Sequence, residues 1–277
     1  MTSRREFIRT STAATALVAG SPAVLLRSRA TADIIVRNGT VFDGLGGAGK
    51  EADVVISAGK ITAVARRSSD RGTVEIDARG LAVAPGFIDI HSHGDGSLWE
   101  DPRAESLVRQ GITTIVVGQD GSSRAPRESA SEDSRGSFAR FAELWTAIDR
   151  LQPAVNVASM IGLGTVRAVV IGGKDRPATS DELTRMQAMV TAAIADGACG
   201  ASSGLEYTPG AFAPLAELIA LCKPLASRRL PYATHMRNED DRLIEAIDES
   251  IAVARGAGCP LQISHLKTQG PRNWSKL

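Results

Sequence analysis

The chain has 277 residues, enough for about two domains of roughly 150 residues, or for one large α/β barrel with an appendage. Hydrophobic residues at 43% and charged residues at 23% are ordinary soluble usage and exclude a disordered chain, a collagen-like repeat and a polytopic membrane protein. The formal charge is +1, but the first 32 residues hold five arginines against Glu6. The remainder carries 27 basic and 30 acidic residues and few aromatics, so it offers nucleic acid neither a basic footprint nor stacking platforms.

Residues 1–32 read as an address. Ser3-Arg4-Arg5-Glu6-Phe7-Ile8-Arg9 precedes a small-residue apolar stretch, and Ala30-Thr31-Ala32 supplies the small-x-small pattern that a signal peptidase accepts. A twin-arginine signal is expected here, with export to the periplasm. Gly20, Ser21 and Pro22 break the stretch well short of the roughly 20 apolar residues a span needs, so no membrane span is expected after signal removal. Over residues 33–82, short runs at 34–37, 53–56, 60–64 and 73–76 alternate with Gly-containing turns, which predicts a small antiparallel β unit.

From 83 to 277 the pattern becomes apolar strand, loop and amphipathic helix in repetition, the signature of parallel strands with crossover helices. Strands are expected at 84–90, 113–117, 155–160, 198–203, 232–235 and 261–265. Helices are expected at 104–110, 138–151, 181–195, 214–226 and 241–256, and Thr179 with Glu182 spells a capping box before the third. Residues 121–136 are polar and Ser-rich, as in a mobile loop. Six strands do not close an eight-stranded barrel. Cys199, Cys222 and Cys259, an odd number in a long chain, read as buried free thiols.

All four histidines fall at the carboxyl ends of expected strands, where α/β folds place their active sites. His91 and His93 are two apart, a spacing that turns both imidazoles to one side of a strand. His235 and His265 close two later strands and can reach the same spot, and Asp120, after the second barrel strand, adds a carboxylate. Neutral imidazoles with a carboxylate suit zinc, and the two oxygens of Asp120 can bridge two ions. Two rival patterns are weaker. Gly200-Ala201-Ser202-Ser203-Gly204 spells a serine-nucleophile elbow, but loop residues rather than a helix follow it. Gly44-Leu45-Gly46-Gly47-Ala48-Gly49 spells a dinucleotide fingerprint, but a strand follows it.

Gly86-Phe87-Ile88-Asp89-Ile90-His91-Ser92-His93, Gly111-Ile112-Thr113-Thr114, Ser202-Ser203-Gly204-Leu205-Glu206-Tyr207, Thr234-His235-Met236-Arg237 and Ile263-Ser264-His265-Leu266-Lys267 resemble the N-acyl-D-amino-acid deacylases (D-aminoacylases) of the amidohydrolase superfamily. The resemblance runs from about Asp33 to the last residue. It implies a metal-dependent (β/α)8 barrel, here truncated after about six strands, with an N-terminal part of a small β-sandwich. It also implies hydrolysis of the amide of an N-acylated D-amino acid, a small-molecule substrate, with one or two divalent ions, zinc foremost.

By position, the resemblance makes His91, His93, His235 and His265 metal ligands and turns Tyr207 and Lys267 toward the substrate carboxylate. Asp120 falls where these deacylases usually place a cysteine, a harder ligand in place of a thiolate. The family's general base is an aspartate at the end of the last barrel strand, beyond Leu277. No catalytic residue is therefore assigned, and the chain alone is expected to be inactive and poorly stable. Two alternatives remain: a cyclic amidase of the hydantoinase or dihydroorotase type, disfavoured because no lysine lies near the end of the 199–203 strand, and a non-catalytic remnant that keeps the metal cluster.

Overall fold

The computed structural model describes residues 31–127 and 137–276. The expected export signal, residues 1–32, lies outside the described residues except for Thr31 and Ala32, which open the first strand, and the polar stretch 121–136 is described only as far as Arg127. The chain divides into two units, one ending at Pro85 and the other beginning at Gly86.

In the first unit, β1 (Thr31–Val41), β2 (Lys50–Ser57) and β3 (Lys60–Ala65) form an antiparallel meander. Ala58 and Gly59 both take positive φ, as the tight turn between β2 and β3 requires. Ala32, Ile35 and Val55 form its small core. The expectation of a wholly antiparallel unit is corrected at its end: β4 (Arg71–Asp77) and β5 (Ala82–Val83) pair with β1 in parallel, in the order β3-β2-β1-β4. The cause is a crossover over residues 66–70, which Arg37 and Asp53 tie down. Arg37 donates to the Ser68 and Asp70 carbonyls at 3.1 and 2.8 Å, and Asp53 accepts from the Ser68 N–H at 2.9 Å.

The second unit is parallel throughout. It runs β6 (Phe87–Asp89), α1 (Glu105–Val108), β7 (Ile112–Val117), α2 (Phe141–Leu151), β8 (Asn156–Ser159), β9 (Ile161–Gly162), α3 (Leu163–Val170), α4 (Ser180–Ala195), β10 (Ala201–Gly204), α5 (Leu215–Cys222), β11 (Tyr232–His235), α6 (Leu243–Ala257) and β12 (Leu261–Ile263). The strand orders are β6-β7-β8 and β9-β10-β11-β12. Met160 joins the two sheets: its N–H donates to Val117 and the next, of Ile161, to Gly200. β8 and β9 thus share one strand position, and six positions follow one another in chain order, each near an expected strand.

Each expected helix forms, with shifted ends. The box of Thr179 and Glu182 caps α4. α5 stops at Cys222 and tightens into a 3-10 turn over Lys223–Arg228, where Pro224 has no N–H for a helical bond. α3 falls outside the expected helices, and its Thr165, Val166, Val169 and Val170 are β-branched and weak helix formers. Burial decides there: Leu163 and Val166 join a core of Ile161, Met186, Val190, Leu218, Leu221 and Tyr232. The fully buried Arg167 of α3 pairs with Glu217 of α5. Cys222 and Cys259 are buried, Cys199 is half-buried, and all three are free thiols. No helix among the described residues is long and apolar enough to cross a membrane.

Candidate metal centre

The strand register brings the histidines together. Gly204 of β10 lies beside His235 of β11, and Thr234 beside Ile263 of β12, so His235 and His265 leave neighbouring strands at the same end. His91 and His93 follow the end of β6, which pairs with β7.

After β7 the chain turns through Gly118-Gln119-Asp120-Gly121, with φ of +75° at Gly118, +51° at Asp120 and +76° at Gly121. Aspartate tolerates the left-handed region better than most residues, and the glycines take it at no steric cost. A Cβ at Gly118 would lie 2.1 Å from the Met160 carbonyl oxygen, and one at Gly121 2.7 Å from the Gly204 nitrogen. The buried Gln119 amide donates to the Ile90 and Val116 carbonyls at 3.0 and 3.1 Å, pinning this turn to the end of β6. Ser202 accepts from the Gly121 N–H at 3.1 Å and donates to the Gly118 carbonyl at 2.6 Å. Buried and so engaged, Ser202 braces the Asp120 turn, which argues against the nucleophile-elbow reading.

All five candidate ligands converge. Asp120 Oδ2 lies 3.6 Å from His91 Nε2, 3.2 Å from His93 Nε2 and 3.8 Å from His235 Nδ1, and Asp120 Oδ1 lies 3.8 Å from His265 Nε2. His235 Nδ1 and His265 Nε2 face each other at 3.1 Å. Among the described residues, buried Asp120 Oδ1 has no hydrogen-bond partner. A buried carboxylate oxygen left unpaired is costly, and a cation among these imidazoles removes that cost. Burial pushes the His91 pKa down, which keeps its imidazole neutral as a ligand must be. The donor set fits one or two divalent ions.

Tyr207 stacks at a tilt on His235, with ring centroids 4.8 Å apart. It lines a cleft of about 820 Å³ together with His93, Asp120, Arg127 and Thr165. Burial and the charge of Asp120 push its phenol pKa up, so the hydroxyl stays a donor. The Lys267 ammonium is paired with Glu239 and lies 3.1 Å from His265 Nδ1.

Sequence reasoning missed two carboxylates. Glu206 Oε2 is 2.9 Å from His235 Nε2. Glu239, fully buried, places Oε1 3.0 Å from His265 Nδ1 and accepts from the Gln269 amide at 3.0 Å. Burial works to raise the Glu239 pKa, but the hydrogen bonds from Lys267 and Gln269 outweigh it and hold the group below the ordinary glutamate value. The only signals for these roles were the adjacency of Glu206 to Tyr207 and the four-residue spacing from His235 to Glu239.

Parallel βα units with imidazoles and a carboxylate gathered at the strand ends define the class of α/β proteins that carry a strand-end metal site. The chain belongs to the amidohydrolase family, whose model matches residues 74–270. It is 39% identical over 254 residues to the N-acyl-D-aspartate deacylase of Alcaligenes xylosoxydans xylosoxydans, covering 88% of this chain and 51% of that protein.

Solved structures of deacylases are among those the chain resembles. A D-aminoacylase with a binuclear metal centre matches with a TM-score of 0.82 at 39% identity, over 87% of this chain and 53% of the other. The N-acyl-D-glutamate deacylase of Bordetella bronchiseptica, complexed with zinc and a phosphonate inhibitor, matches with a TM-score of 0.84 at 36% identity, over 89% and 54%. The chain spans about half the length of the curated relatives it matches.

Proposed function

We propose that the protein is a metal-dependent deacylase that hydrolyses the amide of N-acylated D-amino acids, with zinc as its metal. The observation that carries this reading is the single Asp120 carboxylate set among all four imidazoles. His91, His93, Asp120, His235 and His265 are the proposed ligands. A divalent cation held there supplies Lewis acidity toward the acyl carbonyl and makes water acidic enough to ionise near neutral pH.

The chain's own residues bind and orient the substrate. The Tyr207 hydroxyl, at the edge of the cleft, offers a donor to the substrate. Lys267 has three N–H bonds, and those not directed at Glu239 are free for the substrate carboxylate. Gly121, Gly164, Gly204 and Gly210 line the cleft, where bare backbone leaves room for an acyl or side-chain group. None of these residues is assigned the role of proton acceptor. The absence of a lysine from β10 and its end supports the deacylase reading over a cyclic amidase built on a modified lysine.

The six parallel strand positions are proposed as members of a (β/α)8 barrel, and residues 33–82 as part of a small β-sandwich. Residues 1–32 are proposed as a twin-arginine export signal. Fusion of that segment to a reporter should give export that Arg4→Lys with Arg5→Lys abolishes, and export that survives the double substitution would overturn the signal reading.

The activity is tested on the intact protein from its native host, by following free amino acid released from N-acetyl-D-aspartate, N-acetyl-D-glutamate and N-acetyl-D-leucine and their L-enantiomers. The reading expects release from at least one D-substrate, loss on chelation and recovery with zinc. Release that ignores the chelator, or that occurs only from L-substrates, would contradict it.

A further inference from the structure

We propose that Glu206 and Glu239 are positioning residues that fix the tautomers of His235 and His265, turning a bare lone pair of each imidazole toward one shared cation. This inference rests on the metal-centre reading above. A neutral imidazole carries one ring proton, and whichever nitrogen holds it cannot bind a metal. His235 and His265 face each other through Nδ1 and Nε2 at 3.1 Å, close enough for one to donate to the other. A proton placed there closes the site, because it consumes the lone pairs a cation needs.

The two carboxylates decide against that arrangement. Glu206 lies 2.9 Å from the outward Nε2 of His235, and Glu239 lies 3.0 Å from the outward Nδ1 of His265. An ionised carboxylate only accepts, so each draws the single proton of its imidazole outward. The inward nitrogens are then two bare lone pairs at 3.1 Å, with an Asp120 oxygen 3.8 Å from each. That cluster repels itself without a cation and is relieved by one. Glu239 has a second task. The Lys267 ammonium, 3.1 Å from His265 Nδ1, competes to donate there and would send the ring proton to the inward Nε2. By pairing with Lys267 and accepting from Gln269 as well, Glu239 leaves the His265 proton as the third hydrogen that its two oxygens accept.

The test uses the full chain with ¹⁵N-labelled histidine, stripped of metal, in wild type, Glu206→Gln and Glu239→Gln. Imidazole nitrogen shifts report the tautomers, and competition with a chromophoric chelator reports zinc affinity. The wild type should show His235 protonated on Nε2 and His265 on Nδ1. In Glu239→Gln one of the two accepting oxygens becomes an NH2 donor, so the side chain can no longer accept at both the Oε2 position facing Lys267 and Gln269 and the Oε1 position facing His265, and His265 should shift its proton to Nε2. Each variant should bind zinc about 10–100-fold more weakly.

Unchanged tautomers and unchanged affinity in both variants would overturn the proposal. The Glu206 side chain is 38% exposed, so Glu206→Gln carries the test even where Glu239→Gln fails to fold. A wild type with outward protons that takes up no zinc would instead overturn the metal-centre reading.

Discussion

At the scale of single residues, the site depends on a turn that few side chains could occupy. Asp120 sits at φ +51° between two glycines that also have positive φ, and this geometry aims its carboxylate at four imidazoles. Replacing Asp120 with Ala should remove the central ligand and leave the protein with little or no zinc after dialysis. Asp120→Cys should retain metal, because a thiolate also ligates zinc. Metal analysis of the purified variants checks both, and full zinc occupancy in Asp120→Ala would contradict the ligand assignment. Gly121→Ala should cost about 2 kcal/mol or more, from positive φ and from a Cβ driven against the Gly204 backbone, measured by denaturant unfolding.

The five ligand-type residues were legible in the sequence because strand ends and a two-residue spacing follow from local pattern alone. Glu206 and Glu239 were not, since acidic residues in loops are common. Only the approach of those loops to His235 and His265 gives them a role.

At the scale of elements, the first unit shows what local pattern leaves open. The Ala58-Gly59 turn announces its hairpin, whereas nothing in the run from Thr73 to Ile76 says that β4 joins the far side of β1 in parallel. That pairing depends on Arg37 and Asp53, which hold the crossover from distant points of the chain. Asp53, with its side chain 6% exposed, accepts from the Asn38 and Ser68 N–H groups and from Arg37. Burial works to raise its pKa, but those hydrogen bonds win, and the net shift is downward.

A carboxyl whose pKa is lower folded than unfolded stabilises the fold above its unfolded value, about 3.9, and loses that contribution as pH falls through the folded one. Asp53→Asn should therefore cost about 1–3 kcal/mol at neutral pH, and the gap from wild type should close on acidification below about pH 4. Thermal unfolding across pH 2–7 measures this, and a gap independent of pH would contradict it. In the second unit, Glu217→Ala leaves the Arg167 guanidinium buried without its partner and should cost about 3–5 kcal/mol in denaturant unfolding. A cost below about 1 kcal/mol would show that Arg167 finds another acceptor.

At the scale of the whole molecule, repeated apolar strands and amphipathic helices were enough to read six parallel strand positions. Two features escaped that reading. α3 is helical because burial of Leu163 and Val166 outweighs the low propensity of its β-branched residues. The one-residue passage at Met160 is invisible to periodicity because no turn residue separates β8 from β9 and the whole run from Val155 to Ile161 reads as one strand. The order of strands matters to function, since it brings His91, His93, Asp120, His235 and His265 together from four separate strand termini in two sheets.

The central claim is that these five residues hold a divalent ion. Diffraction at the zinc absorption edge from crystals of the purified protein tests it most directly. The account predicts an anomalous peak about 2.0–2.2 Å from His235 Nδ1, His265 Nε2 and an Asp120 oxygen. A zinc-supplemented crystal with no peak among the five residues would contradict it.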